Sequence, residues 1–518
     1  MKSIDSTGTS PKGSVAARSR LATRGCVGAT RQRGITAGRL RLASLLGAIV
    51  LAAGPAPAQE ILPTTGIDLP VLGKIAPRQA KDIPASPWWS IGGETTDRDF
   101  TVFRHYQKYL GPLGAKSIRV QAGWAKCEKV KGVYDWAWLD EIVDGSLAQG
   151  VRPWLEFNYG NTIYSGGGDT GLGGGFPSSP EALAAWDRWC RALVGRYQDR
   201  VFEWEVWNEP DLSKKSTTTV EAYVELYLRT AAMVRELQPR GRIWAMGLAG
   251  RVEYADEFLA GLKAKGRLDL VDAITYHGYP KNPDDTTLAD KLRDVVKKHG
   301  RAIELRQGET GAPSRYQENF ALSRLSWTET MQAKWDLRRL LSHRAKDIPM
   351  NLFTISDLHY TQASSQPSAD GVLRMNYKGL LATNPDQTIS HAKPAYYAAQ
   401  AVFSIFDGSL GRVAKYPFTT TALRSLALTG YARQGGAGQV VAYWFTDAPP
   451  DASLGVTRAE VTLPAGKFRE PVVVDLRTGL VYAVPQDRWE AAGAGVKFKA
   501  LPIYDSPLLI AERSALPL

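Results

Sequence analysis

A short strand that ends in a carboxylate decides the fold: residues 202–211 read Phe-Glu-Trp-Glu-Val-Trp-Asn-Glu-Pro-Asp. Apolar residues alternate with acids as far as Val206, which predicts a β-strand, and Asn208-Glu209-Pro210 then ends it. In a parallel barrel the carboxyl ends of the strands face the active site. We therefore expect Glu209 at a cleft, with Asn208 beside it.

A second strand of the same kind follows further along the chain. Residues 303–311 read Ile-Glu-Leu-Arg-Gln-Gly-Glu-Thr-Gly, and Glu309 stands 100 positions after Glu209. The flanking glycines let the backbone turn sharply and leave room beside the acid. At roughly 30 residues per strand–helix unit, this spacing places the two acids on strands four and seven of a barrel.

Between residues 88 and 406, short apolar runs alternate with longer helical patterns. The predicted strands are Trp88–Gly92, Ser117–Ala122, Arg152–Asn158, Phe202–Val206, Arg242–Met246, Ala273–Tyr276, Ala302–Gln307 and Met350–Ser356. The clearest predicted helices are Trp136–Gln149, Pro180–Tyr197, Val220–Leu237, Leu288–His299, Ser326–Arg344 and Pro394–Phe406, and Ser326 with Glu329 predicts a capping box. Eight such units predict an α/β fold, a (β/α)8 TIM barrel. The rival is a doubly wound open sheet, but no Gly-rich nucleotide loop follows an early strand.

The pattern changes after Phe406, where short β-type runs are separated by turns. Such runs predict a C-terminal antiparallel β-sandwich. We divide the chain into a leader at 1–58, a Pro-rich strap at 59–84, a barrel at 85–410 and a sandwich at 411–518. The strap is expected to add a strand to the sandwich. A stretch with seven glycines at 165–175 is expected at the rim of the cleft.

The N-terminal segment has the composition of an export signal. The first 41 residues carry nine Lys or Arg and one acid, and the apolar run Leu42–Ala53 follows. Ala56-Pro57-Ala58 fits the small-x-small rule, which predicts a signal peptide cleaved near Gln59 and a periplasmic or extracellular protein. An uncleaved anchor is the alternative, although the apolar run is short for a bilayer. We expect no membrane span after cleavage.

Composition also restricts the partners. The leader holds eight of the twelve net positive charges, so the remainder carries about +4, too little for a nucleic-acid-binding protein. Cys127 and Cys190 remain, and the sequence allows either a disulfide or two buried thiols. No Cys or His spacing suits a metal, so we expect no metal and no cofactor.

The two strand-end acids suit the hydrolysis of glycosides. That reaction needs one carboxylic acid to protonate the leaving oxygen, and a second carboxylate to attack the anomeric carbon or to activate water against it. In a retaining enzyme the two lie roughly 5–5.5 Å apart, which opposite walls of a barrel mouth can supply. We expect the carboxyl groups of Glu209 and Glu309 to face each other across one pocket.

The motifs Trp207-Asn-Glu-Pro and Gly308-Glu-Thr-Gly resemble those of the clan A glycoside hydrolases, the 4/7 superfamily. The β-xylosidase/α-iduronidase-like and cellulase-like families are the most similar. The resemblance implies a retaining mechanism with Glu209 as general acid/base and Glu309 as nucleophile, and assigns the sugar 2-hydroxyl to Asn208. It also implies that Arg119 steadies the nucleophile and that His277 and Tyr279 form a His-x-Tyr element whose tyrosine hydrogen-bonds the nucleophile.

Further site residues are predicted from their places at strand ends. Trp124 and Trp207 are expected to stack on sugar rings, with packing into the barrel wall as the alternative for Trp207. Asn158, with Asn161 and Tyr164, is expected to line the cleft. Many clan members place a tryptophan at the end of strand eight; here Asp357 and His359 occupy that region, either touching substrate or capping the last helix.

These observations predict a retaining glycoside hydrolase that acts on a β-linked oligo- or polysaccharide by double displacement. Two alternatives stay open. A transglycosylase of the same fold shares the covalent intermediate but excludes water, and an inactive carbohydrate-binding barrel keeps the fold without turnover.

Overall fold

Among the described residues, eight parallel strands close into a barrel in chain order. The computed structural model describes residues 65–212, 218–360, 373–436 and 438–518, so the predicted signal peptide at 1–58 lies outside them. The strands are β1 (Trp89–Gly92), β2 (Ser117–Gln121), β3 (Arg152–Phe157), β4 (Glu203–Val206), β5 (Arg242–Leu248), β6 (Ala273–His277), β7 (Glu304–Thr310) and β8 (Met350–Leu352). The predicted barrel, with Glu209 after strand four and Glu309 on strand seven, is confirmed.

A helix follows each strand and covers the outside of the barrel. The helices are α1 (Phe103–Leu113), α2 (Ala137–Ala148), α3 (Pro180–Tyr197), α4 (Val220–Leu237), α5 (Val252–Ala264), α6 (Thr287–His299), α7 (Glu329–Arg344) and α8 (Pro394–Ile405). Helix α4 buries Tyr223, Val224 and Tyr227, the stripe that its sequence period predicts.

The predicted capping box at Ser326 is wrong. Helix α7 begins at Glu329, and the Thr328 hydroxyl accepts a hydrogen bond from the Met331 amide at 3.2 Å. Thr328 has an extended backbone, which directs its side chain back over the first helical turn. Glu329 is thus the first helical residue, and its carboxylate contacts His391 at 2.9 Å.

The inside of the barrel is filled by aromatic and charged side chains. Trp154 and Trp244 meet edge to face with centroids 4.4 Å apart, and the Arg306 guanidinium lies 4.2 Å from the Trp244 ring centre. Glu205 is fully buried and accepts a hydrogen bond from the Trp154 indole at 3.0 Å. Glu205 on β4 therefore belongs to a polar layer beneath the barrel mouth.

In the described part of the chain, a sandwich of antiparallel sheets lies mostly after the barrel. One sheet has seven strands, in the order Val71–Lys74, Leu480–Ala483, Pro471–Asp475, Leu508–Glu512, Gln439–Phe445, Leu426–Arg433 and Leu410–Arg412. The other has four, in the order Thr419–Thr420, Thr457–Leu463, Gly495–Ile503 and Trp489–Ala492. The strand Val71–Lys74 shows that the Pro-rich strap adds a strand to the sandwich.

The sandwich meets the barrel beside the loop that follows β6. Asp284 in this loop accepts hydrogen bonds from Trp444 of the seven-stranded sheet at 3.0 Å and from Ser342 of α7 at 2.8 Å, and pairs with Arg338.

Both Cys127 and Cys190 are buried free thiols. Among the described residues, every helix is too short or too polar to span a membrane.

Candidate active site

Glu209 stands where the chain turns sharply out of β4. Trp207 and Glu209 both have left-handed backbone conformations, with φ of 68° and 53°. The Glu209 amide donates to the carbonyls of Met246 and Gly247 at 3.1 and 3.0 Å, which fixes this uncommon turn. The Glu209 carboxyl then points at Nδ1 of His277, 2.7 Å away.

Glu309 lies on β7 with polar partners on both oxygens. The Tyr279 hydroxyl donates to Oε1 at 2.5 Å, and Nη1 of Arg119 donates to Oε2 at 3.3 Å. Nδ1 of His277 lies 3.5 Å from Oε2. These contacts correspond to those that the resemblance implied for Arg119 and Tyr279.

The two carboxyl groups face one pocket of about 470 Å³ at the carboxyl end of the barrel. One oxygen of Glu209, one oxygen of Glu309 and a ring nitrogen of His277 lie within 4.8 Å of one another. Metal ligands can lie this close, but Tyr279 and Arg119 already bind the Glu309 oxygens and His277 binds Glu209. The arrangement suits proton transfer and nucleophilic attack.

Burial sets the protonation of the site. It raises the pKa of Glu209 to about 8, with a further increase from Asp211 and a decrease from Arg119. Burial also lowers the pKa of His277 to about 4, so its ring is neutral at pH 7. Glu209 therefore holds a proton at neutral pH, which is the form that a general acid needs.

Arg119 connects the pocket to the polar layer below it. Its fully buried guanidinium donates to Glu205 at 2.8 Å and to Oδ1 of Asn208 at 2.9 Å, and lies 2.6 Å from Glu156. Asn208 in turn donates to the Tyr159 hydroxyl at 2.8 Å. One arginine thus orients both Glu309 and Asn208.

Much of the pocket wall was missed from the sequence. Phe353 follows β8 directly, while Tyr360 and Asn376 lie on a hairpin of Leu358–Tyr360 with Arg374–Asn376. Other pocket residues absent from the prediction are Asn319, Phe320, Arg374 and Lys378. The sequence predicts the eighth strand as Met350–Ser356, whereas β8 ends at Leu352 and the hairpin begins at Leu358.

Glu94 was also missed, although its sequence carries a signal. It follows β1 in Gly92-Gly93-Glu94, much as Glu309 follows Gly308 on β7. The side chain is 1% exposed and accepts a hydrogen bond from Nη1 of Arg119 at 3.0 Å.

The stacking roles predicted for Trp124 and Trp207 are wrong. Trp124 is fully buried, stacks on Tyr164 with centroids 5.6 Å apart and donates to Glu128 at 2.5 Å. Trp207 is 1% exposed and packs edge-on against Phe176 at 4.7 Å. Both rings belong to the barrel wall, so neither offers a face to a sugar.

The cleft-lining role predicted for Asn158 is also wrong. Its side chain is fully buried, and Oδ1 accepts a hydrogen bond from the Gly123 amide at 3.2 Å, which fastens the loop after β2. Asn161 donates to the backbone carbonyl of Glu128 at 2.8 Å, and the Tyr164 hydroxyl donates to the Glu128 carboxylate at 2.5 Å. Of the two residues after β8, Asp357 pairs with Lys393 at 2.7 Å and His359 contacts Thr383 at 2.8 Å.

Comparisons with known proteins find similar chains among the glycosidases. Residues 117–306 match the family described as Glycosyl hydrolases family 39. A β-xylosidase from Geobacillus stearothermophilus is 29% identical over 161 residues, which cover 29% of this chain and 32% of that protein. The matched stretch therefore spans about a third of the curated relative's length.

Two solved structures share the fold. A family 39 glycoside hydrolase from Bacteroides cellulosilyticus WH2 is 18% identical with a TM-score of 0.59, over 85% of this chain and 83% of that one. A monomeric β-xylosidase from Caulobacter crescentus CB15 is 17% identical with a TM-score of 0.52, over 86% and 98%. With the family match, these findings confirm the predicted resemblance to the clan A glycosidases.

Proposed function

We propose that the protein is a retaining glycoside hydrolase that cleaves a β-linked oligo- or polysaccharide, with Glu309 as nucleophile and Glu209 as general acid/base. The observation that carries the proposal is the approach of their carboxyl groups, whose nearer oxygens lie within 4.8 Å across one pocket. Retaining enzymes hold their carboxyl groups at roughly 5–5.5 Å, whereas inverting enzymes need room for a water between them.

In the first step the Glu309 carboxylate attacks the anomeric carbon. The bond to the leaving oxygen breaks with its electron pair on that oxygen, which takes the proton from Glu209. An ester then joins the sugar to Glu309. The proton is available because burial raises the pKa of Glu209 to about 8.

In the second step the roles reverse. Glu209, now ionised, takes a proton from water, whose oxygen attacks the anomeric carbon and releases Glu309. Tyr279 and Arg119 hold the nucleophile at 2.5 and 3.3 Å through both steps. Asn208, fixed by Arg119 and Tyr159, is placed to bind the sugar 2-hydroxyl.

The anomeric configuration of the first product tests this proposal. Aryl β-glycosides of several sugars are screened, and the best substrate is followed by time-resolved proton NMR. We expect the β-anomer to form first and the α-anomer to grow in by mutarotation. An α-anomer formed first means that the enzyme inverts, and no turnover with any glycoside or polysaccharide favours the inactive carbohydrate-binding barrel.

Transglycosylation differs only in the acceptor that attacks the covalent intermediate. Product analysis with added sugar acceptors separates the two activities. A hydrolase gives mostly free sugar at low acceptor concentration, while a transglycosylase gives mostly the coupled glycoside.

We also propose that the protein is exported after cleavage near Gln59. The basic leader, the apolar run Leu42–Ala53 and Ala56-Pro57-Ala58 support this location. N-terminal sequencing of the protein purified from its source is expected to begin near Gln59. Recovery of the intact N-terminus from the cytoplasm contradicts export.

A further inference from the structure

A second carboxyl group shares the arginine that binds the nucleophile. Glu94 follows β1, and its Oε1 accepts from Nη1 of Arg119 at 3.0 Å. The same Nη1 donates to Oε2 of Glu309 at 3.3 Å. Glu94 and Glu309 therefore lie on either side of one donor nitrogen.

The glycines before Glu94 allow this approach. A Cβ atom built on Gly92 would lie 2.1 Å from Oε2 of Glu94, and one on Gly93 would lie 2.7 Å from Cδ1 of Ile118. Any larger residue at position 92 would displace the Glu94 carboxyl group from Arg119. The two glycines therefore leave the space that the Glu94 carboxyl group occupies.

The charges around Arg119 favour a neutral Glu94. Four carboxyl groups contact this one guanidinium, from Glu94, Glu156, Glu205 and Glu309. Four ionised acids would leave a buried excess of negative charge. Burial raises the pKa of Glu94 to about 8, while Arg119 lowers it and Glu309 adds a smaller increase. Burial also raises the pKa of Glu156 well above its usual range, against the opposing effect of Arg119.

The hydrogen bonds of Glu94 also agree with a neutral carboxyl group. Its Oε2 has no hydrogen-bond partner among the described residues. An ionised carboxylate would leave this buried oxygen charged and without a donor, which is costly. The ionisable groups that interact with Glu94 are Arg119, Glu156, Glu309, Tyr106, Tyr279 and Tyr360.

We propose that Glu94 is a positioning residue that, as the neutral acid, holds Nη1 of Arg119 against the carboxylate of Glu309. An ionised Glu94 would compete with Glu309 for the same donor, whereas a neutral one anchors the donor without drawing it away. The proposal rests on the proposed function, since it concerns the nucleophile of that reaction.

Kinetics of Glu94→Ala and Glu94→Gln test the proposal. In Glu94→Ala the guanidinium loses its anchor, so kcat/KM is expected to fall about tenfold, the scale of one charge-assisted hydrogen bond. Glu94→Gln keeps an acceptor oxygen and is expected to restore most of kcat/KM.

Glu156→Ala is the matched control. Glu156 contacts the same guanidinium through Nη2, at 2.6 Å, and is just as buried. Its loss leaves Nη1 anchored by Glu94, so kcat/KM is expected to fall less than in Glu94→Ala. The proposal is overturned if Glu94→Ala keeps most of kcat/KM, if Glu94→Gln is as impaired as Glu94→Ala, or if Glu156→Ala is as impaired as Glu94→Ala.

Stability against pH gives a readout that does not depend on turnover. A group with a raised pKa stabilises the fold fully below its unfolded pKa and loses that contribution as pH rises through its folded pKa. The wild type therefore loses stability between about pH 4.5 and 8 through Glu94, and Glu94→Gln does not. Glu209 titrates in both proteins and cancels from the difference.

We expect the Tm of Glu94→Gln, relative to wild type, to increase steadily from pH 5 to pH 8. A constant difference contradicts a neutral Glu94, whatever the activity. If the wild type cleaves no glycoside, the proposed function fails while this measurement still decides the protonation of Glu94.

Discussion

At the residue scale, the two carboxyl groups of the pocket, those of Glu209 and Glu309, have different surroundings. Glu209 contacts a neutral His277, and burial raises its pKa to about 8. Glu309 accepts hydrogen bonds from Arg119 and Tyr279. Two acids at one pocket thus have environments suited to opposite roles, an acid and a nucleophile.

The pH dependence of kcat/KM is expected to reveal this division. Above about pH 8 Glu209 loses its proton and can no longer protonate a leaving group. With a poor leaving group such as an alkyl glycoside, we expect activity to fall above that pH. With a dinitrophenyl glycoside, which needs no protonation, the fall is expected to be much smaller. An equal fall with both substrates would indicate that another group titrates.

At the element scale, most of the barrel could be predicted from the sequence. The spacing of apolar residues and the length of each run distinguish its helices from its strands. Helices α3 and α4 have the predicted bounds, Pro180–Tyr197 and Val220–Leu237. Glu209 follows β4 and Glu309 lies near the end of β7, where proline or glycine ends each short strand. Local pattern was sufficient for these features.

The direction of side chains at the strand ends could not be predicted in the same way. Trp207 turns into the wall because its backbone φ is 68°, a conformation fixed by hydrogen bonds to a neighbouring strand end. Trp124 packs against aromatic residues of α3 that are distant from it in the sequence. The hairpin of Leu358–Tyr360 with Arg374–Asn376 is too short to give a periodic signal.

The start of α7 offers a local test. Thr328→Ala removes the hydroxyl that accepts the Met331 amide, a loss of about 1 kcal/mol in helix stability. Hydrogen exchange of that amide is expected to accelerate about fivefold, the same energy expressed as a rate. Ser326→Ala, two residues earlier, is the control and is expected to leave the exchange unchanged. If Ser326→Ala accelerates the exchange and Thr328→Ala does not, Ser326 is the cap.

At the scale of the whole molecule, the sandwich supports the loop that follows β6. Asp284 lies in this loop with Tyr279 and binds Trp444 of the sandwich and Arg338 of α7. The Arg338 guanidinium is fully buried there. The accessory layer therefore contributes to the geometry of the active-site face.

Asp284→Ala is expected to destabilise the protein strongly. It leaves the buried Arg338 without its carboxylate, a change that costs about 3–5 kcal/mol. We expect the thermal unfolding midpoint to fall by a few degrees. Asp290→Ala removes an exposed pair with Lys346, worth at most about 1 kcal/mol, and serves as the control. Equal shifts for the two variants would show that Asp284 makes no special contribution.

Azide rescue of Glu209→Ala tests the assignment of the two acids most directly. With a dinitrophenyl glycoside, the variant is expected to form the glycosyl–enzyme on Glu309 but to hydrolyse it slowly, because the general base is absent. Azide needs no base, so it is expected to restore turnover and give a glycosyl azide of retained configuration. Glu309→Ala is expected to lose activity by several orders of magnitude on every substrate. Rescue of Glu309→Ala with inverted configuration, while Glu209→Ala stays inactive, would contradict the assignment and exchange the two roles.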